Sequence, residues 1–144
     1  MRLLITGTDG QVGWELRRSL APLGEVIGMD RNACDLSRPK DLPHIIRETH
    51  PDIVVNAAAY TAVDKAEEEE ALATMINGVA VGVIAEEARK LGALLIHYST
   101  DYVFDGAKDG PTKGWQHRSP WLSHGRGACA ACAAGDSSAP LAMQ

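Results

Sequence analysis

Basic residues are in the minority in this chain. Fourteen Lys and Arg stand against 19 Asp and Glu, a net charge of -5 with a pI near 5.5, and no basic stripe runs along any segment. That removes the electrostatic footprint expected of a nucleic-acid or anionic-membrane binder, and small-molecule chemistry becomes the better expectation. Long apolar runs are also scarce: none approaches the roughly 20 residues needed to span a bilayer, and the first residues enter a strand pattern rather than a basic segment with a cleavage site. A cytoplasmic location is expected. Cysteine is sparse and odd in number, with only Cys129 and Cys132 at CxxC spacing. A zinc site would need further ligands and a disulfide framework a denser, even set, so no metal is expected and Cys34 reads as a small core or turn residue. At 144 residues the chain fits one domain with an ordinary core and has no room for a second large one.

The first half alternates short apolar runs with amphipathic stretches, the pattern of βαβ units and a parallel sheet. Strands are expected at Arg2–Thr6, Glu25–Asp30, Asp52–Asn56 and Ala93–Ser99, each rich in Val, Ile or Leu and bounded by Gly, Pro or Asp. Helices are expected at Val12–Leu23 and Asp41–Thr49, the second with a start signal at Ser37 and Pro39 and a stop at Pro51. A longer helix is expected from about Glu67 to Leu91, where Leu72, Met75, Ile76, Val79, Val83, Ile84 and Leu91 form one apolar stripe. The acidic run Glu67–Glu70 then lies in its first turn, favourable to the helix dipole, and reads as a solvated helix start rather than a metal site. After Pro111 the texture changes. Residues 112–144, with the run Gly127-Ala128-Cys129-Ala130-Ala131-Cys132-Ala133-Ala134-Gly135, show neither a period of two nor one of 3.6, and an aberrant, irregular and disordered tail is expected. The expected fold is therefore α/β, a Rossmann-like doubly wound parallel sheet in residues 1–111, incomplete, with that tail appended.

Gly7-Thr8-Asp9-Gly10-Gln11-Val12-Gly13 follows the first strand directly and opens the first helix. The spacing is GxxGxxG. Gly7 permits the sharp turn, Gly10 lets the backbone approach a pyrophosphate, and Gly13 allows close packing of helix on strand, while the helix N-terminus presents N–H groups to the anion. In that strand-loop-helix context the glycines indicate dinucleotide binding. Asp30 ends the second strand about twenty residues past the loop, where an acidic side chain accepts hydrogen bonds from an adenosine ribose, which favours NADH. Arg31 beside it could pair instead with a 2′-phosphate, so NADPH stays open.

Four blocks carry a family resemblance over roughly residues 1–111: Gly7–Leu16 (GTDGQVGWEL), Asp35-Leu36 after the second strand, Val55–Glu67 (VNAAAYTAVDKAE) and His97–Gly106 (HYSTDYVFDG). The chain resembles the extended short-chain dehydrogenase/reductases, and within them the dTDP-4-dehydrorhamnose reductases. The resemblance implies NADPH- or NADH-dependent reduction of the 4-keto group of dTDP-4-dehydro-L-rhamnose, a step toward bacterial cell-surface polysaccharide. It also implies a dTDP-sugar substrate and, in the full-length family, a homodimer. Matched position by position, Gly10, Gln11 and Val12 surround the pyrophosphate and Asp30 the ribose. Asp35 and Leu36 lie beside the adenine, and the backbone of Ala59, Tyr60 and Thr61, with Tyr98, lines the cofactor. Thr100 matches the hydroxyl that contacts the reacting sugar oxygen, assisting catalysis, and Asp101 a substrate-contacting neighbour. Asp64, Lys65 and His97 are read as structural.

Reducing a ketone needs a hydride donor and a proton donor for the developing alkoxide. In the resembled family a Tyr supplies the proton and a Lys four residues later lowers its pKa. Tyr60, Tyr98 and Tyr102 are the tyrosines here, and none has Lys at that spacing. As it stands the polypeptide is expected to be an inactive fragment. A shifted reading frame past residue 111 fits the tail better than a divergent short protein does. The rival class is a non-catalytic NAD(P)-binding regulatory subunit resembling that of methionine adenosyltransferase.

Overall fold

A computed structural model describes residues 1–66 and 68–98, with the side chain of residue 63 left undescribed. The expected tail, Thr100 and Asp101 lie outside the described residues. Four parallel strands form one sheet: β1 (Arg2–Thr6), β2 (Glu25–Met29), β3 (Ile53–Asn56) and β4 (Leu94–His97), in the spatial order β2-β1-β3-β4. Helix α1 (Gln11–Ser19) links β1 to β2 and is followed by a short 3₁₀ turn at Ala21–Leu23, so the expected helix Val12–Leu23 tightens where Pro22 removes a donor. Helix α2 (Leu42–Thr49) precedes β3, a single turn α3 (Val63–Ala66) follows it, and α4 (Glu70–Leu91) precedes β4.

Strand alternation divides the core. Leu4 and its register partners Ile27 and Val54, with Leu95 beyond, point to the face covered by α2 and α4. There they meet Leu42, Ile46, Ala80, Ile84 and Ala88, with Cys34 and Leu36 closing the edge. Each fully buried aliphatic side chain of this set contributes roughly 1.5–3 kcal/mol. Leu3, Ile5 and Val55 point the other way, toward the face on which α1 packs. Helices on both faces make the sheet doubly wound. Among the described residues β4 ends the sheet, and Leu94 and Ile96 on its α1-side face are 55% and 43% exposed. Cys34 is buried as expected, and burial pushes its thiol up to about 11.

Helix α4 departs from the sequence reading in three ways. It begins at Glu70, three residues later than expected, because the chain first spends a turn on α3, with the Glu68 and Glu69 N–H groups donating to the Lys65 carbonyl. Its middle, Met75–Val79, is π-wound between α-helical flanks. It is also long and apolar enough to cross a membrane by length and composition, with 22 residues and a mean hydropathy of 1.4 over its most apolar 18-residue window, which corrects the expectation that no such run exists. The run escapes a search for continuous apolar residues because Thr, Asn and Gly interrupt it; its buried face, Ala73, Ala80, Val81, Ile84 and Ala88, packs onto the sheet. One charged residue is buried on this helix. Glu87, 3% exposed, is held by Arg47 of α2 at 2.6 and 2.8 Å and by Lys90 at 2.9 Å, so a buried carboxylate is matched by two cations and joins the two helices.

Candidate functional site

The chain leaves β1 toward β2 on one side, and β3 lies on the other, so the carboxyl ends of β1 and β3 flank a topological switch point. That crevice is where open α/β sheets bind ligands. Gly7 turns out of β1 with φ +75°, a left-handed conformation that disfavours any side chain. A Cβ there would stand 2.7 Å from the backbone of Ala58, so Gly7 is also where the loop after β3 crosses the loop after β1. Gly13 is tighter still: a Cβ would come within 2.1 Å of the Gly7 carbonyl oxygen, and glycine alone lets α1 sit this close to the turn. Gly10 differs from both. Its backbone is extended, and a Cβ would meet only the Gly7 oxygen, at 3.4 Å, which leaves its outer side open.

Helix α1 starts with no side-chain cap and no acidic residue in its first turn. The first N–H groups of a helix have no intrahelical partner, so those of Gln11, Val12 and Gly13 are available to an anion. The loop is anchored at its back, with the Thr8 N–H donating to the Met29 carbonyl at 3.1 Å and the Gly10 N–H to that of Gly7. A diphosphate fits this cradle: it is open at Gly10, rigid at Gly7 and Gly13, and electropositive at the helix end.

Asp30 follows β2 at the same rim. One of its carboxylate oxygens accepts the Ala33 N–H at 2.9 Å, a bond that holds the carboxyl below its usual range and leaves it ionised. Asp35 accepts the Ser37 N–H at 2.9 Å; the Ser37 hydroxyl and then this N–H lower its pKa, and Arg38 stands 4.0 Å away. The Leu36 side chain is 4% exposed and part of the core, so only its backbone can face a ligand. Tyr98 follows β4 and is half exposed.

The loop after β3 carries Ala59, Tyr60 and Thr61. Here the structure adds residues that the sequence reading passed over. Asn77, in the π-wound turn of α4, accepts the Tyr60 N–H at 2.8 Å and donates to the Tyr60 carbonyl at 3.0 Å. The peptide N–H of Tyr60 is therefore committed, and its hydroxyl donates to Glu69 at 2.6 Å, a bond that raises the phenol's pKa. What this segment offers a ligand is the exposed residues Ala59 and Thr61. Asn56 is a second such residue. Its side-chain oxygen accepts from Thr6 at 2.6 Å and from the Ala58 N–H at 3.2 Å, and its amide nitrogen faces His97 Nδ1 at 3.0 Å. A π-turn, which often marks a functional site, leaves no trace in hydrophobic periodicity, and a buried Asn reads as an ordinary strand end.

The glycine loop, Asp30 and the Ala59–Thr61 segment thus share one rim, with Tyr98 on the neighbouring strand. Comparison with known proteins agrees with this architecture. The chain is 57% identical over 111 residues to a dTDP-4-dehydrorhamnose reductase of Burkholderia thailandensis, covering 77% of this chain and 37% of that protein. With the reductase of Salmonella typhimurium it shares 48% over 130 residues, 88% of this chain and 44% of the relative. The chain therefore spans about two-fifths of these curated relatives. The crystal structure of dTDP-4-dehydrorhamnose reductase from Bacillus anthracis in complex with NADP superposes with a TM-score of 0.73 at 33% identity, over 83% of this chain and 43% of that one. A family model described as the RmlD substrate binding domain matches residues 1–133, and the chain belongs to that family.

Proposed function

We propose that this chain carries the cofactor-binding part, and the first residues of the sugar site, of an NADP(H)-dependent reductase acting on the 4-keto group of dTDP-4-dehydro-L-rhamnose. The observation that carries the reading is the glycine cradle at the switch point, where Gly7 and Gly13 are sterically obligatory and Gly10 alone is open. The relatives named dTDP-4-dehydrorhamnose reductase, and the NADP held by one of them, supply the substrate and cofactor class. The N–H groups of Gln11, Val12 and Gly13 would hold the diphosphate, Asp30 the adenosine ribose, and Asp35 with the Leu36 backbone the adenine. Arg31, exposed beside Asp30, suits the 2′-phosphate of NADPH. The backbone of Ala59 and Thr61, with Tyr98, would line the nicotinamide half. When bound, the nicotinamide supplies the hydride. Thr100 would polarise the sugar carbonyl and Asp101 would bind the sugar, as family resemblance implies. A soluble nucleotide-sugar substrate fits a cytoplasmic enzyme of polysaccharide precursor synthesis, a homodimer in its full-length form.

No tyrosine of this sequence is followed by Lys four residues on. A threonine hydroxyl is a poor acid, so the chain by itself turns over little, and its hold on the cofactor is weak. Calorimetric titration with NADPH, followed by a rate measurement with the dTDP-4-keto sugar, tests both halves. Saturable NADPH binding with negligible turnover is expected. Absence of binding at millimolar NADPH would overturn the cofactor site, and turnover at the rate of a full-length relative would overturn the claim of inactivity.

A further inference from the structure

Thr6, Asn56 and His97 are register partners at the carboxyl ends of β1, β3 and β4, on the face covered by α2 and α4. Thr6 and Asn56 are each 1% exposed. One fixed donor orients the whole set. The Ala58 N–H can only donate, so the Asn56 side-chain oxygen faces it, and that oxygen also accepts from Thr6. The amide nitrogen is thereby turned to His97 Nδ1 at 3.0 Å. An amide NH₂ only donates, so Nδ1 must carry no proton and the ring is the neutral Nε2–H tautomer. Ala58, at the other end of this chain of bonds, is the residue whose backbone packs against Gly7 of the phosphate loop.

We propose that His97 is a positioning residue for the cofactor rim: its unprotonated Nδ1 fixes the Asn56 carboxamide, whose oxygen holds the Ala58 turn against Gly7. The proposal rests on reading that rim as an NADP(H) site. Protonation of Nδ1 sets donor against donor. Flipping the Asn56 amide relieves that contact only by turning its NH₂ toward the Ala58 N–H, so either response loses the anchor. Acidification therefore loosens the rim.

The surroundings keep the ring neutral. Burial lowers the His97 pKa, against a hydrogen bond with the Asn56 backbone, and among the described residues no charged neighbour contributes. Thr6 and Asn56 are uncharged, and residues 75–85 of α4 include no titratable side chain. Glu69 at the start of α4 is bonded to Tyr60, and at its far end Glu86, Glu87, Arg89 and Lys90 pair with one another and with Arg47. Tyr98 follows the strand and is half exposed.

The test follows three readouts on the intact chain from about pH 7.5 to about 4.5, through and below the range in which an unperturbed histidine titrates, because burial lowers the His97 pKa. They are the ¹⁵N spectrum of the His97 ring, the exchange protection of the Ala58 amide and the affinity for NADP⁺. The Nε2–H tautomer is expected at the upper pH, with protection and affinity each falling about threefold to tenfold on acidification, the worth of one net hydrogen bond. In His97→Gln the side-chain oxygen accepts at any pH, so both profiles should flatten while their values at neutral pH persist. In Asn56→Asp a carboxylate accepts from Thr6, Ala58 and a protonated ring alike, so Ala58 protection should hold or rise on acidification. An Nδ1–H tautomer at neutral pH, or an unaltered pH profile in His97→Gln, would overturn the proposal. Should His97→Gln fail to fold, the ring spectrum and Asn56→Asp decide it. If NADP⁺ does not bind at all while Ala58 protection still follows the ring's protonation, the positioning role stands and the cofactor reading fails.

Discussion

The two glycines at opposite sides of the phosphate loop should fail in different ways when each is replaced by alanine. At Gly13 the new methyl would lie 2.1 Å from the Gly7 carbonyl oxygen, 2.7 Å from its carbon and 2.9 Å from the Thr8 Cα. All three are backbone atoms of a turn held by Ala58 and Met29, so no side chain can swing aside. Helix α1 must retreat by more than an ångström. Overpacking of this kind costs about 1–3 kcal/mol, and in a domain of about a hundred residues each kcal/mol lowers the melting temperature by roughly 4–8 °C. At Gly10 the methyl meets one atom at 3.4 Å, and the extended backbone suits any residue. The cost there is the weaker helix cap, about 0.5–1 kcal/mol, but the methyl stands on the side where a diphosphate would approach. Thermal unfolding followed by circular dichroism, beside NADPH titration of both variants, separates the effects. Gly13→Ala should lose stability and binding together, whereas Gly10→Ala should lose most of its binding and little stability. A Gly13→Ala variant that melts with the parent would refute the packing argument, and a Gly10→Ala variant that binds NADPH normally would refute the cradle.

Arg47 and then Lys90 hold the Glu87 carboxyl at about 2 against an ordinary 4.5, so its ion pairs stabilise the fold above about pH 4.5 and are lost as pH falls toward 2. Urea midpoints measured across that window should drop steeply in the parent and more shallowly in Glu87→Gln, and parallel curves would sink the linkage. Asn77→Ala removes both partners of the Tyr60 peptide, so exchange of the Tyr60 amide should quicken by about tenfold or more, with a weaker loop for NADPH; unchanged exchange would mean that the π-turn does not hold this segment. Cys34, buried with its thiol raised to about 11, should resist iodoacetamide at neutral pH until the chain is unfolded, as peptide mapping would show; rapid native labelling would contradict its burial.

The sheet was legible because local pattern and global fold agree. Apolar runs such as Leu3–Ile5 and Ile53–Val55 are buried on both faces, and a parallel strand of that kind shows itself in composition alone. The expected strand at Asp52–Asn56 begins one residue later, and that at Ala93–Ser99 is shorter, Leu94–His97, with Ala93 and Tyr98 outside the strand and Ser99 outside the described residues. The glycine loop was equally legible, since its spacing reflects steric needs of three single residues. Helix α4 was less so: its apolar stripe showed a helix but neither the turn lost to α3 nor the π-wound segment, whose Asn77 bonds Tyr60 seventeen residues away.

The βαβ alternation, the glycine loop after β1, the acidic residue after β2 and the family membership are each written in neighbouring residues, so the sequence alone carries them. Only the tertiary structure decided the rest. It alone distinguishes Gly7 and Gly13, which have no room for a methyl, from Gly10, which has. It commits the Tyr60 peptide to Asn77, joins Glu87 to a helix forty residues earlier, and lines up Thr6, Asn56 and His97 across three strands. The physical reason is common to all four: a hydrogen bond or a collision depends on distance in space, and these partners are brought together by the order in which parallel strands pair, which no local pattern encodes.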